Sequence, residues 1–281
     1  MIANHRHARC RTSTAMDDRE RRLRELTAII RSGDAVLFTG AGFSAEATDR
    51  RGRPLPDTRQ MIADLWTMLF GDAPRDESSL ADLYDVALLR ARDRLREYLR
   101  DRLQLGGSPL PRTFEAWFAA PWRRIYTLNV DDLEFAVARQ FRLPRPLVSV
   151  SALAERREPH DLGELQGVDL NGIAGDDPAQ VTFSTMQYAS RLCCPDREYE
   201  RLIEDLRRCS FVFVGTTLDE VVLWKHVQLE VHANGAMPRR HSFLIAPSLT
   251  RARQLLLDAH RIHWVPATAC EMAERVLARS A

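Results

Sequence analysis

Short runs of consecutive apolar residues recur along this chain, each closed by glycine or a polar turn. Between them lie longer stretches whose apolar residues return every three or four positions. The run Ala35-Val-Leu-Phe38 is brief, continuous and closed by glycine, the pattern of a strand buried on both faces. Arg124–Thr127, Leu165–Leu170, Phe211–Val214, Phe243–Ala246 and Ile262–Val265 read the same way. Helical spacing runs through Asp17–Arg31, Thr58–Phe70, Leu80–Leu105, Pro111–Ala120, Asp132–Phe141, Asp196–Arg208, Glu220–His232 and Thr250–His260. The alternation predicts an α/β protein: a Rossmann-like, doubly wound, mostly parallel sheet with an inserted helical lobe at about residues 55–120.

Composition narrows this picture only a little. The 281 residues suit one large α/β domain over 17–281, preceded by a polar leader, 1–16, that holds too little apolar surface to order itself. A net charge of +1 with 28% charged residues gives no bulk argument for nucleic acid or membrane. Lys225 is the only lysine, an arginine bias we ascribe to coding rather than to function. The arginine-rich stretch from Arg90 to Arg102 carries interspersed carboxylates, which favour a solvated, ion-paired helix. No run approaches the ~20 apolar residues of a membrane helix and no signal core opens the chain, so the expectation is a cytoplasmic protein. Cys10, Cys193, Cys194, Cys209 and Cys270 are odd in number and irregularly spaced, against a disulfide framework.

Two polar signatures fall where strands end. Gly40-Ala41-Gly42-Phe43-Ser44 follows the first strand, and its glycines suit a tight turn approaching a phosphate. An ordinary strand-to-helix connection explains the same glycines equally well. Thr127-Leu-Asn129-Val-Asp131 follows another strand, on the edge where open α/β sheets bind ligands. Asn129 and Asp131 could equally cap the helix that follows. The intervening loop Asp49–Pro56, rich in arginine, glycine and proline, is a lid candidate.

With these motifs and the later Phe211-Val-Phe-Val-Gly215-Thr216-Thr217, the chain resembles the sirtuin-like family over roughly Asp34 to Ser248. The resemblance implies that Gly40, Ala41, Gly42, Phe43 and Ser44 cradle the phosphates of NAD. It implies too that Thr127, Asn129 and Asp131 shape the nicotinamide-ribose pocket, and that Gly215, Thr216 and Thr217 hold ribose and phosphate. The family's His-Gly pair, whose histidine is the base, is here Asn171-Gly172. An amide takes up no proton near neutral pH, so the catalytic set becomes Asn129, Asp131 and Asn171 without a strong base. His160 is a substitute by position alone. The four-cysteine zinc ribbon of the family's deacylases has no counterpart, and no metal is expected; His226 and Glu230 are one helical turn apart without further ligands.

Losing the ribbon while keeping the cofactor turn resembles the bacterial anti-phage NADase modules, Argonaute- or ATPase-associated. That implies an NAD+ glycohydrolase releasing nicotinamide and ADP-ribose, licensed by a sensor protein, a fused sensor domain or homo-oligomerisation. The alternative is a non-catalytic module that binds NAD or ADP-ribose for assembly or sensing. An ordinary dinucleotide oxidoreductase fits less well, since Ala45 breaks Gly-X-Gly-X-X-Gly and no Tyr-Lys pair follows.

Overall fold

A computed structural model describes residues 19–153, 163–193, 196–219, 223–224 and 240–277. The leader 1–16, His160, Lys225, the His226 and Glu230 pair and nearly all of the expected helix Glu220–His232 lie outside the described residues.

Seven strands form one sheet: β1 (Val36–Thr39), β2 (Arg124–Thr127), β3 (Leu147–Ser151), β4 (Leu165–Asp169), β5 (Phe211–Val214), β6 (Ser242–Ala246) and β7 (Ile262–Pro266). Their order is β3-β4-β2-β1-β5-β6-β7, and every pairing is parallel, with Leu37 opposite both Ile125 and Val212. The expected mostly parallel sheet is therefore wholly parallel among the described residues. The Rossmann-like arrangement follows from burial on both sides. Alternate residues of each central strand feed opposite layers. Leu37, Ile125, Val212 and Phe243 join one core, and Val36, Phe38, Phe211 and Phe213 the other.

The first layer contains α1 (residues 19–31), α5 (Arg112–Ala119), α6 (Leu133–Gln140) and α10 (Ala269–Met272), the last running into a π-helical turn, Ala273–Leu277. The second contains α8 (Arg197–Arg208) and α9 (Arg251–Ala259), through Leu202, Leu206 and Leu257. The short helix α7 (Thr185–Cys193) borders the sheet's ligand edge. At the open edge of the sheet, Arg22 donates to the carbonyl of Trp264 at 3.0 Å and Arg19 to that of Pro266 at 3.1 Å.

The inserted lobe is smaller than its sequence pattern suggests. Helices α2 (Thr58–Phe70), α3 (Leu80–Arg90) and α4 (Arg92–Arg102) share a core of Leu65, Leu83, Tyr84, Leu95 and Leu99. Helix α5 instead turns Phe114, Trp117 and Phe118 onto the sheet, so it belongs to the sheet's own layer. The expected single helix Leu80–Leu105 breaks at Ala91, whose φ and ψ are −147° and 36°, and neither glycine nor proline marks the place. A capping box at Ser79 and Asp82 fixes the start of α3, and Asp57 caps α2 by accepting from Gln60 N.

The loop Asp49–Pro56 is tied to this lobe rather than hanging over a cleft. Asp49 is fully buried and accepts from Arg53, Arg102 and the backbone of Arg51 and Arg53, while Arg53 and Arg51 also pair with Asp101. These bonds hold the Asp49 carboxyl below the usual carboxylate range despite the opposing effect of its burial.

Candidate functional site at the strand ends

The chain leaves the adjacent strands β1 and β5 toward opposite faces. After β1, Phe43 packs into the first layer, and after β5, Leu218 and Leu223 pack into the second. Such a divergence opens a crevice at the carboxyl ends of the strands, where open α/β sheets take their ligands. A cleft of about 780 Å³ lies there.

Its floor is made by two glycine loops in contact with each other. Gly42 N donates to Gly215 O at 2.9 Å, and Phe43 N returns to Gly40 O at 2.8 Å to close the turn. A Cβ on Gly40 would stand 2.7 Å from Gly215 O and 2.8 Å from Thr216 Cβ. Gly215 has φ +69°, and a Cβ there would overlap Phe43 N. The glycines thus admit the neighbouring loop, and this packing demands them whatever ligand the cleft takes. Phe43 anchors the turn from below, its ring 5.6 Å from those of Phe114 and Trp117.

The wall over β2 is built around one hydroxyl. Ser44, 2% exposed, accepts from Asn129 Nδ2 at 2.8 Å and lies beside the buried carboxyl of Asp131. With Nδ2 turned inward to Ser44, Oδ1 is the amide group left for the cleft. Thr127 Oγ1 takes the Asn129 backbone N–H at 3.1 Å, and Asp131 Oδ1 takes that of Leu133 at 3.2 Å, at the start of α6. Asp131 therefore caps the start of α6. Burial pushes its pKa up to about 6, against the lowering effect of the Ser44 and Leu133 bonds.

Of the residues singled out from sequence, Gly40, Ala41, Gly42, Phe43, Asn129, Asn171, Gly215, Thr216 and Thr217 line the cleft. Ser44, Thr127 and Asp131 stand behind that lining, and no residue of 49–56 reaches it. Asn171, 5% exposed, donates from Nδ2 to Leu128 O at 2.9 Å and to the Tyr188 hydroxyl at 3.3 Å. Its amide braces the Asn129 loop. Sequence reasoning did not single out the aromatic wall of Phe114 and Trp117, Tyr188 on α7, or the turn Thr268–Cys270. Ordinary helix patterning hides the first three. The capping box of Thr268 and Glu271 was a local signal for the last.

Behind Asp131 lie two further buried acids. Asp169, at the end of β4, accepts from the Ser149 hydroxyl, and Glu134, on the first turn of α6, has an Oε2 with no donor among the described residues. Burial pushes Asp169 up to about 8. Burial, then the charges of Asp169 and Asp131, raises Glu134 well above its ordinary range. Cys193, Cys209 and Cys270 are free thiols, and no cluster of three or more His, Cys, Asp or Glu among the described residues is placed to hold a metal ion. No helix among them is long and apolar enough to cross a membrane. No protein-family model and no curated protein matches this sequence.

Proposed function

We propose that the cleft binds NAD+ and that the chain hydrolyses its nicotinamide–ribose bond, releasing nicotinamide and ADP-ribose. The observation that carries the reading is the meeting of the Gly40–Phe43 turn, the Gly215–Thr217 loop and Asn129 around one cleft at the β1/β5 divergence. Resemblance of the same three motifs to the sirtuin-like family supports it. The glycine floor, which carries no side chain where a ligand would approach, and the hydroxyls of Thr216 and Thr217 suit a diphosphate.

The reaction asks little acid or base chemistry of the protein. Nicotinamide loses its positive charge on departure, so it leaves without being protonated. Asn129 Oδ1, held outward by the Nδ2 bond to Ser44, accepts from a water or ribose hydroxyl and orients it. Positioning without a strong base implies slow turnover. As in the anti-phage modules that the motifs resemble, a sensor partner or self-assembly would raise it, with the chain acting as the cofactor-depleting effector in the cytoplasm.

A second reading is favoured by Asn171. Its amide is engaged by Leu128 O and Tyr188, which suits a module that holds NAD or ADP-ribose without cutting it. One experiment separates the two. The full chain is incubated with NAD+ at several protein concentrations, with nicotinamide release and thermal stability followed together. Release supports hydrolysis, and lasting stabilisation without release supports the binding module. Neither effect at any concentration would falsify the NAD assignment.

A further inference from the structure

The two ends of the cleft differ in charge. Over β2 the polar lining is neutral: Asn129, Asn171, Thr182 and Tyr188. Over β6 and β7 it meets Glu46, on the short 3-10 turn after the glycine loop, facing the aromatic wall and the Thr268–Cys270 turn. Glu46 is the one charged side chain in the described lining, which holds no arginine, lysine or histidine. Its Oε2 accepts from Thr113 Oγ1 at 3.4 Å. Thr113 lies one helical turn before Trp117 on α5, and the Trp117 indole donates to Ala269 O at 3.0 Å, so Glu46 stands toward the β7 end.

This matters if a dinucleotide lies across the glycine floor, the reading proposed above, on which the inference rests. With the nicotinamide ribose beside Asn129, the second nucleoside falls over β6 and β7. We infer that Glu46 is a specificity determinant there, accepting from the 2′- and 3′-hydroxyls of the second ribose and excluding a dinucleotide that carries a 2′-phosphate. An ionised carboxylate only accepts hydrogen bonds, so a vicinal diol is its natural partner. A phosphate monoester would bring up to two negative charges against it, with no guanidinium in the described lining to offset them. Because Glu46 is exposed, its replacement leaves the core packing untouched.

The test compares NAD+ and NADP+, which differ only in the 2′-phosphate, by thermal stabilisation and calorimetric titration of the full chain. Wild type is expected to prefer NAD+ by roughly tenfold or more. Glu46→Gln should weaken NAD+ several-fold and narrow the gap, and Glu46→Arg should bring the two within about twofold or invert them. Equal binding of both by wild type, or a preference untouched in both variants, overturns the role of Glu46 while leaving the NAD reading intact. Stabilisation by neither dinucleotide overturns both.

Discussion

The half of the cleft over β2 and β4 and the half over β5, β6 and β7 are built on different terms. Beneath the first lie three carboxyls, Asp131, Glu134 and Asp169, each at most 6% exposed. Behind the second, β5 and β6 end in Val214 and Ala246, and the polar groups are the hydroxyls of Thr216, Thr217, Ser248 and Thr268 with the exposed carboxyl of Glu46. Burying a carboxyl is unfavourable unless it is paired or protonated. A fold that keeps three together has kept them against its own stability, whereas the second half buries no carboxyl among its lining residues. Perturbed acids close behind a cleft are candidates for a part in its chemistry. On the proposed reading, the reaction belongs beside Asn129 and recognition of the remaining ligand on the other side.

The sharpest break of this comparison is Gly215→Ala. It forces a side chain into Phe43 N at φ +69°, and the expected loss is about 3 kcal/mol of stability, with the floor of both halves displaced. Chemical denaturation reads it, and a variant as stable as wild type removes the account of the floor. Next in size, Asn129→Ala should lower nicotinamide release about 100-fold while moving the melting temperature by only roughly 2 °C. A matched loss of stability would recast Asn129 as structural. The smallest effect concerns the acids alone. Glu134 and Asp169 have raised folded-state pKa values, so the folded protein holds more protons than the unfolded chain between about pH 4 and about 8. Their contribution to stability is present at the acid end and is lost as pH rises through their folded values. Glu134→Gln should therefore gain on wild type as pH increases, on the order of 1 kcal/mol by pH 8, read as the difference between two melting curves across pH. A difference that is flat in pH would deny the raised titration.

The central strands were legible because burial on both faces leaves an uninterrupted apolar run, as in Phe211–Val214. Strand β3 was not. Its sequence, Leu-Val-Ser-Val-Ser, lies at the sheet's edge with its three middle residues only half-buried, so nothing required it to be apolar throughout. The break at Ala91 was equally silent, since tertiary packing of two short helices decides it without a helix breaker. Most of the motif residues do meet at one cleft. Ser44, however, acts on Asn129 from behind, a relation that no spacing along the chain encodes. The loop Asp49–Pro56 misled through composition. Its arginines answer Asp49 and Asp101, and sequence alone does not pair charges some fifty residues apart.

The bonds from Arg19 and Arg22 to the carbonyls of Pro266 and Trp264 have a bearing on solubility. Open backbone groups along the last strand of a sheet are a template on which another chain can add a strand. Helix α1 occupies two of them with guanidinium groups, which bond the carbonyls yet carry no acceptor to continue a ladder. Helix α1 thus acts as a guard on β7, and losing it would be felt as stickiness between molecules before any weakening of the core.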